Sequence, residues 1–331
     1  MGAMMRAILL DGFGGPERMR LGEAPAPTPA PHQVLIRVAA TSVNRPDIAQ
    51  REGHYPPPPG ESEILGLEVA GTIESVGDEV RGLSPGQRVA ALLGGGGYAE
   101  LAAADARHVL AIPDSITFEE AACLCETYIT AYLNLFIGAR LEDGEWLLLH
   151  GGGGGVATAA MQLVGALAPK SRMIVTASES KLKRVADLGA DTVVDYRNED
   201  FVDAVKRATD GRGVDVILDH IGGPYLDRNM KALAIKGRLA LIGTMGGRKA
   251  EIDLGRLLVK RQELIGSVLR PRPADEKAEI IARFREAVMP LFAERRIVPL
   301  IDRVLPLEEA AEAHRRMERG GHFGKIVLRV S

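Results

Sequence analysis

The sequence predicts an α/β protein of two domains, one built on a doubly wound parallel sheet and the other rich in strands. Between residues 146 and 269, apolar strand-like runs alternate with helical segments, which is typical of a parallel sheet covered by helices on both faces. Before residue 113, short β-rich runs are separated by Pro and Gly, which indicates irregular, strand-rich structure. At 331 residues, the chain is also about twice the usual size of one domain.

The strand-rich domain is predicted from four runs of apolar and β-branched residues. They cover residues 5–10, 34–39, 69–76 and 87–93. Residues 25–31 and 56–60 are predicted loops, because each holds several prolines and proline has no N–H to give to a central strand.

The parallel sheet is predicted from six runs in the middle of the chain. They cover residues 146–149, 173–177, 192–194, 214–218, 238–242 and 264–269. After a basic, Pro-rich joint at residues 270–273, the remaining chain has the pattern of helix, strand, helix and strand.

The charge balance excludes one large class of partner. The 41 basic and 44 acidic residues give a net charge of −3, which is not the cationic excess that binds nucleic acid. The two cysteines, Cys123 and Cys125, are too few for a disulfide framework or a multi-thiolate metal site. We therefore expect no nucleic-acid partner and a reducing, cytoplasmic location.

One stretch has the length of a membrane span. Residues 146–169 hold no Asp, Glu, Lys or Arg and are long enough to cross a bilayer. Five successive glycines at residues 151–155 interrupt this stretch, which predicts a buried strand, a tight turn and a helix instead. We expect neither a signal peptide nor membrane association.

The same five glycines form the strongest motif of the sequence. They follow the strand at residues 146–149 and precede a helix. A dinucleotide pyrophosphate binds at such a place, because glycines permit a tight turn and close backbone approach, while free N–H groups and the helix dipole hold the anion. The flanking strand and helix favour dinucleotide binding over a flexible loop, and no Gly-Lys-Ser/Thr follows, which excludes a phosphate-loop NTPase here.

The end of the second strand favours NADPH over NADH. NAD enzymes place an acid there, on the ribose 2′-hydroxyl. Here Ser178 and Lys181 follow the strand, with no acid at its tip, and this suits a 2′-phosphate; Glu179 is the residue that argues for NADH. Tyr196 follows the third strand and is expected either to flank the adenosine phosphate or to be a half-buried packing residue.

Further segments carry a family likeness. They are residues 42–47, 50–60, 64–71, 121–132, 150–162, 221–223, 243–247 and 324–328. In this order, and over essentially the whole chain, they resemble the zinc-independent quinone oxidoreductase (zeta-crystallin-like) branch of the medium-chain dehydrogenase/reductase superfamily. The resemblance implies a GroES-like (chaperonin-10-like) catalytic domain at residues 1–128, a Rossmann NADP-binding domain at 129–271 and a C-terminal segment, 272–331, that returns to the catalytic domain. It also implies that the catalytic cleft lies between the two domains.

The resemblance also implies a set of site residues. The pyrophosphate would be faced by Gly152, Gly155, Val156 and Ala157, and the adenosine phosphate by Ser178, Lys181 and Tyr196. The nicotinamide would be surrounded by Asn44, Thr130, Gly243 and Leu269, with Lys325 reaching the cofactor from the last strand. Two positions depart from the family, since Ala157 stands where the motif usually ends in Gly and Gly154 stands where many relatives have Ser.

The zinc ligands of the superfamily's alcohol dehydrogenases have no counterpart here. Asn44 stands in the region of the early Cys, and Leu67 replaces the His of the Gly-His-Glu motif, so we expect no zinc. A metal-free site suits an acceptor that bears negative charge easily. A quinone becomes a phenolate, whose pKa of about 10 against about 15.7 for water makes the charge about 8 kcal/mol easier to bear. Conjugated enals and enones share this advantage.

The expected function is an NADPH:quinone oxidoreductase that transfers hydride to a quinone without zinc. The proton is expected to come from water or from Tyr55. Tyr55, on the Pro-rich loop, is expected to give the substrate a hydrogen bond or a proton, or only to exclude water as an aromatic lid. Asn44 is expected to orient the nicotinamide or the substrate oxygen, or to be an ordinary turn residue after a strand. Asp47 and Glu68 are expected to hold the scaffold. The alternatives are an NADPH-dependent enone or 2-alkenal reductase and an NADPH-binding protein with weak catalysis. A homodimer paired through residues 264–269 is expected, mainly from the resemblance.

Overall fold

A computed structural model describes residues 3–331, which fall into two compact units. Unit 1 holds the chain up to Ile129 together with Leu269–Ser331, and unit 2 is Thr130–Val268. The boundaries predicted from the sequence lie after residues 128 and 271.

Residues 3–331 form the following strands and helices. The strands are β1 (Met4–Leu10), β2 (Met19–Pro25), β3 (Gln33–Ser42), β4 (Glu68–Val76), β5 (Arg88–Leu92), β6 (Leu101–Asp105), β7 (Val109–Ala111), β8 (Trp146–Leu149), β9 (Arg172–Ala177), β10 (Thr192–Asp195), β11 (Val214–Asp219), β12 (Leu233–Leu241), β13 (Glu263–Gly266), β14 (Ile301–Pro306) and β15 (Lys325–Arg329). The α-helices are α1 (Arg45–Arg51), α2 (Phe118–Ala121), α3 (Ile129–Tyr132), α4 (Gly155–Leu167), α5 (Leu182–Asp187), α6 (Phe201–Ala208), α7 (Leu226–Ala232), α8 (Leu254–Lys260), α9 (Ala274–Ala293) and α10 (Ala310–Arg319). Two π-helical turns, Leu124–Tyr128 and Leu133–Gly138, flank α3.

Unit 2 is built on a six-stranded parallel sheet in the order β10-β9-β8-β11-β12-β13. Counted from β8, this is the strand order 3-2-1-4-5-6 of a Rossmann fold, so the predicted doubly wound sheet is confirmed. All residues of β11 are buried, because a sheet covered by helices on both faces has no solvent side. Leu148, Ile174 and Ile217 of neighbouring strands form part of its core.

Unit 1 contains a sheet in the order β14-β15-β3-β4-β5-β7, with β6 also paired to β3. The C-terminal strands complete this sheet, because β15 pairs antiparallel with β3 and sets Val327 opposite Ser42. Val34, Ile36 and Val38 of β3 belong to the core, in the alternate spacing of a strand with one buried face. The predicted strand-rich domain is therefore confirmed.

The sequence pattern does not predict β2, β6 or β7. Strand β2 contains Gly22 and Pro25, β6 is mostly alanine, and β7 has three residues. Each one pairs with another strand: β2 with β1, β6 with β3 and β7 with β5. Tertiary pairing therefore stabilises strands whose intrinsic β-propensity is low.

One helical run, Phe118–Gly138, is long and apolar enough to cross a membrane. Within its most apolar window, 78% is buried inside the protein. The core helix of a globular protein passes the same test of length and composition, so this run assigns no membrane location.

The carboxyl ends of the unit 2 strands bring several candidate residues to one edge of the sheet. Strand β8 ends just before His150 and the glycines, β9 just before Ser178, β11 just before His220, and β12 two residues before Gly243. Ligands of open α/β sheets bind outside this edge.

Candidate active site

The glycine loop turns sharply between β8 and α4. Gly151 has a φ of +65°, a left-handed conformation that glycine adopts without strain. The N–H of Gly152 donates to the carbonyl oxygen of Thr176 at 2.8 Å, and the N–H of Gly154 donates to that of Gly151 at 2.9 Å. Helix α4 then begins at Gly155, so its first N–H groups, which lack intrahelical acceptors, and the positive end of its dipole adjoin the loop.

Side chains would clash at two positions of this loop. A Cβ on Gly151 would lie 2.5 Å from Cε1 of His220, and a Cβ on Gly152 would lie 2.5 Å from Cγ1 of Val175. Glycine is therefore required for the loop to pack against these neighbours. The bare backbone that results is what a pyrophosphate needs for close approach.

The Lys181 side chain lies across the loop. A Cβ on Gly153 would be 2.4 Å from Cδ and 3.1 Å from Nζ of Lys181. The turn Glu179–Lys181 after β9 places this side chain, and the Lys181 N–H closes the turn by donating to the carbonyl oxygen of Ser178 at 2.8 Å. A cation therefore lies beside the glycine backbone, as a phosphate site requires.

Ser178 and Tyr196 follow neighbouring strands and lie at the same edge. The Tyr196 N–H donates to the carbonyl oxygen of Ala177 at 3.4 Å. The Tyr196 side chain is 40% exposed, and the Arg197 guanidinium lies 5.7 Å from its ring centroid. The structure thus brings Ser178, Lys181 and Tyr196 together, while their contacts with an adenosine phosphate stay a prediction.

A buried polar network adjoins the loop. Nε2 of His150 lies 2.8 Å from Oδ1 of Asn229, whose Nδ2 donates to Asp219 at 3.0 Å. Nδ1 of His150 lies 3.1 Å from the hydroxyl of Thr176, and that oxygen also accepts the Gly151 N–H at 3.3 Å. Burial lowers the pKa of His150 to about 3, so its ring is neutral, with Nε2 donating to Asn229 and Nδ1 accepting from Thr176. The network orients the threonine that holds the start of the loop.

The residues predicted to surround the nicotinamide lie in both units. In unit 2, a Cβ on Gly243 would lie 3.1 Å from the carbonyl oxygen of His220, whose ring adjoins the glycine loop. The carbonyl oxygen of Thr130 accepts a hydrogen bond from Nδ2 of Asn134 at 2.8 Å. In unit 1, Leu269 is buried. Their contacts with nicotinamide stay predictions.

Unit 1 holds a cluster of buried polar groups at the end of β3 and the start of β4. Its centre is the fully buried Glu68. Oε1 of Glu68 accepts from three groups: the Ser42 hydroxyl at 2.6 Å, Nδ2 of Asn44 at 3.0 Å and Nζ of Lys325 at 3.0 Å. Nζ of Lys325 also donates to Oδ1 of Asn44 at 2.5 Å and to the carbonyl oxygen of Val43 at 3.2 Å. The ammonium group thus has an acceptor for each of its three N–H bonds, and the predicted contact of Lys325 with the cofactor stays a prediction.

Asn44 begins helix α1, and Asp47 sets its position. The Asn44 N–H donates to Oδ2 of Asp47 at 2.7 Å, as part of a capping box. Asp47 also accepts from the Gly66 N–H at 3.1 Å and from the Tyr98 hydroxyl at 3.3 Å. Burial raises the pKa of Asp47 to about 6. The expected scaffold roles of Asp47 and Glu68 are confirmed, and the role of Asn44 at the nicotinamide stays a prediction.

Tyr55 packs against Arg270. The guanidinium carbon lies 5.3 Å from the Tyr55 ring centroid, and Nη1 donates to the Tyr55 carbonyl oxygen at 3.3 Å. Arg270 is itself buried, and it donates to the carbonyl oxygen of Gly94 at 2.8 Å and to Oε1 of Gln50 at 2.7 Å. Burial raises the pKa of the Tyr55 hydroxyl. The choice between hydrogen-bond donor and aromatic lid stays open for Tyr55.

Sequence reasoning missed Glu126, Arg270 and the His150 network. Glu126 had a signal, because it is the only charged residue between positions 121 and 139. Its N–H donates to Oε2 of Glu68 at 2.9 Å, which places it beside the cluster. The His150 network had no signal in the sequence, since Asn229 and Asp219 are distant in sequence from His150 and only folding brings them together.

Comparisons with known proteins agree with this architecture. Residues 30–114 match the alcohol dehydrogenase GroES-like domain, and residues 188–328 match the zinc-binding dehydrogenase family. The chain is 34% identical to a quinone oxidoreductase of Rattus norvegicus, with 98% of each chain covered. It is 32% identical to the synaptic vesicle membrane protein VAT-1 homolog-like of Homo sapiens, covering 98% of this chain and 81% of that protein. A solved structure of Escherichia coli quinone oxidoreductase complexed with NADPH is similar at a TM-score of 0.88 and 27% identity, covering 99% of this chain and 100% of that one.

The description of the second family raises the question of zinc. Within residues 3–331, no group of three or more His, Cys, Asp or Glu side chains is arranged to hold a metal ion. In the unit 1 cluster, the oxygens of Glu68 and Asn44 are already bound to the Lys325 ammonium. A divalent cation added there would be repelled by that charge at close range. The residues of this cluster do not fit a zinc ion.

The fold and the relatives lead to one family. Unit 2 has the Rossmann strand order, and the GroES-like match lies within unit 1. The identity to quinone oxidoreductases extends over 98% of the chain. The chain therefore belongs to the medium-chain dehydrogenase/reductase superfamily of oxidoreductases and to its zinc-independent quinone oxidoreductase branch.

Proposed function

We propose that this chain is an NADPH:quinone oxidoreductase that works without zinc. The observation that carries the proposal is the glycine loop with the Lys181 side chain lying across it. The relatives named as quinone oxidoreductases, and the related structure that holds NADPH, support the substrate and the coenzyme.

The loop of unit 2 fits a dinucleotide. The N–H groups at the start of α4, from Gly155 to Ala157, would hold the pyrophosphate with Gly152. Lys181 and Ser178 would bind the 2′-phosphate, since β9 ends in Ala177 and no carboxylate occupies its tip. When bound, NADPH supplies a hydride from C4 of its nicotinamide ring.

A quinone is the acceptor that this chain's residues suit best. Hydride addition to a quinone leaves a phenolate, which is about 8 kcal/mol easier to form than an alkoxide-like oxygen. Hydrogen bonds from polar side chains are enough to stabilise such a charge. In unit 1, Asn44 and Tyr55 are the residues we assign to orient the substrate.

The test is an acceptor screen with the purified protein. NADPH and NADH oxidation are followed by absorbance with several ortho- and para-quinones, and with conjugated enals and enones, in the presence and absence of a zinc chelator. We expect turnover with quinones, a preference for NADPH and no effect of the chelator.

Other outcomes would reassign the function. Faster turnover of conjugated enals would make the chain an enal or enone reductase, which forms an enolate by the same chemistry. Tight NADPH binding in a calorimeter, without oxidation by any acceptor, would identify a binding protein that has lost turnover. Loss of activity on chelation, with stoichiometric zinc in the active sample, would overturn the zinc-free mechanism.

A further inference from the structure

Glu126 is a carboxyl group placed where apolar packing would be expected. It lies in the π-helical turn Leu124–Tyr128, in which the other four residues are buried and Glu126 is only partly buried. Single π-helical turns are rare and occur frequently at functional sites. The turn aims the Glu126 N–H at Oε2 of Glu68, 2.9 Å away, so Glu126 is tied directly to the buried cluster of unit 1.

The Glu126 carboxyl group itself accepts no hydrogen bond from any residue in the described range, 3–331. The charged and titratable groups that face it come from several elements: Glu68 of β4, Asp47 of α1, Lys325 of β15, and Arg270 and Tyr55 from loops. Two of the three acids that meet here, Glu68 and Asp47, are wholly buried. Of the two cations, Lys325 is paired with Glu68, and the Arg270 guanidinium donates to Gly94, Tyr55 and Gln50. Glu126 is therefore the acid of this group with neither a hydrogen-bond donor nor a cation of its own.

The protonation state of Glu126 follows from these surroundings. The residue keeps some solvent exposure, but protein groups surround its carboxyl group, and this burial raises its pKa to about 8, with repulsion from Glu68 as the next cause. At neutral pH the group is mostly the neutral acid, which can donate a hydrogen bond and a proton. A general acid works best when its pKa lies near the working pH.

We propose that Glu126 is the proton donor of the reaction, giving its carboxyl proton to the quinone oxygen that becomes negative on hydride transfer. This inference rests on the function proposed above and adds a catalytic residue to it.

The step balances as follows. The quinone receives a hydride, and with it two electrons, from NADPH, so that one quinone oxygen becomes a hydroxyl and the other a phenolate. The O–H bond of Glu126 breaks, a new O–H bond forms on the phenolate oxygen, and the product is the hydroquinone. Water then returns a proton to the Glu126 carboxylate, which its partial exposure permits.

Tyr55 is the competing donor in unit 1. Its pKa is raised above its ordinary value by burial and by Glu126, so it gives up a proton less readily than a free phenol. Its carbonyl oxygen and ring are both held by Arg270. Tyr55 is thereby suited to donate a hydrogen bond to the substrate while Glu126 supplies the proton.

The decisive variant is Glu126→Gln, which keeps the shape of the side chain and removes the acid. The matched control is Glu286→Gln, on an exposed position of α9, and Tyr55→Phe tests the competing donor. We expect Glu126→Gln to lower the rate of quinone-dependent NADPH oxidation about 100-fold at neutral pH, with NADPH affinity unchanged. Tyr55→Phe should lower this rate less, and Glu286→Gln should leave it unchanged.

The pH profile separates an acid from a structural residue. In the unaltered protein the rate should fall as pH rises through about 8, because the neutral acid is lost. Glu126→Gln should lack this fall, whereas Tyr55→Phe should keep it. Infrared difference spectra of the coenzyme-free protein give an independent readout: the carbonyl band of a protonated carboxylic acid should be present at neutral pH, disappear at higher pH and be missing in Glu126→Gln.

The outcomes distinguish this proposal from the function on which it rests. If none of the quinones supports NADPH oxidation by the unaltered protein, the proposed function fails and the proton-donor role fails with it. If the unaltered protein is active but Glu126→Gln keeps its rate and its fall at high pH, only the role of Glu126 is overturned. Absence of the Glu126 carboxylic-acid band at neutral pH would overturn it as well.

Discussion

At the scale of single residues, Lys325 determines how unit 1 tolerates its buried acids. Its ammonium group is 3.0 Å from Glu68, and both side chains are almost completely buried. An uncompensated carboxylate in such a place would cost several kcal/mol. Lys325 therefore carries the positive charge around which the side chain of Asn44 is arranged.

Replacing Lys325 tests this arrangement. Lys325→Met should lower the free energy of unfolding by about 3–5 kcal/mol, because Glu68 would stay buried without its cation. The double variant Lys325→Met/Glu68→Gln should recover part of the loss, since the remaining group is neutral. Urea denaturation measures both.

An exposed ion pair provides the control for that measurement. Lys231 and Asp227 are 2.7 Å apart on α7, and both are about half exposed, so Lys231→Met should cost less than about 1 kcal/mol. If Lys325→Met lowers the free energy of unfolding by no more than Lys231→Met does, the buried pair contributes no more to stability than an exposed pair.

Lys181 is the residue that should decide coenzyme preference. Lys181→Met keeps the aliphatic stem that lies across Gly153 and removes the charge. We expect NADPH affinity to fall about tenfold, equivalent to about 1.4 kcal/mol, while NADH affinity changes little. Calorimetric titration with both coenzymes measures this, with Lys183→Met on the exposed face of α5 as the control. Equal losses for the two coenzymes would place Lys181 at the pyrophosphate rather than at the 2′-phosphate.

At the scale of elements, glycine has opposite effects in a strand and in a helix. In β4, a Cβ on Gly71 would lie 2.0 Å from the carbonyl oxygen of Arg37 in the neighbouring β3. In α4, a Cβ on Gly165 would meet nothing within 4 Å. Close pairing of β3 and β4 therefore requires Gly71, whereas Gly165 only lowers the stability of its helix.

Alanine at these two positions should change stability in opposite directions. Gly71→Ala should destabilise unit 1 by about 2 kcal/mol or more, because backbone must move at a close strand contact. Gly165→Ala should stabilise unit 2 by about 0.5–1 kcal/mol, because alanine is the better helix former. Thermal and urea unfolding measure both changes. A stabilising Gly71→Ala would show that β3 and β4 pair less closely than described.

At the scale of the whole molecule, the free edge of the unit 2 sheet predicts a homodimer. Strand β13 lies at the end of the sheet and pairs with β12. Leu264 and Val268 near this edge are 42% and 52% exposed, and Leu258 of α8 is 74% exposed. An exposed apolar strand edge is a ready place for another chain to pair.

Light scattering after size-exclusion chromatography tests the dimer. We expect a mass twice that of the 35.4 kDa chain, and a shift towards the monomer for Leu264→Lys, since a buried charge at the edge would oppose pairing. Met4→Lys, at an exposed position of β1 in unit 1, is the control and should stay dimeric. A monomeric unaltered protein would contradict the prediction.

The sequence alone determined the doubly wound sheet and the position of the glycine loop. Both are local properties: strands and helices of unit 2 alternate with clear hydrophobic patterns, and glycine is favoured where the backbone turns left-handed, as at Gly151. The order of functional segments along the chain was also enough for the family. These features depend on residues that are close in sequence, so a single chain carries the information.

Only the tertiary structure decided which side chains meet. Lys325 reaches Asn44 because β15 pairs with β3, although the two strands lie near opposite ends of the sequence. His150, which follows β8, is linked to Asp219 of β11 through Asn229 of α7. The protonation of Glu126 likewise depends on burial and on Glu68, a residue of a different element. Charges act through space and through the local dielectric, so neither distance nor burial can be derived from positions along the sequence.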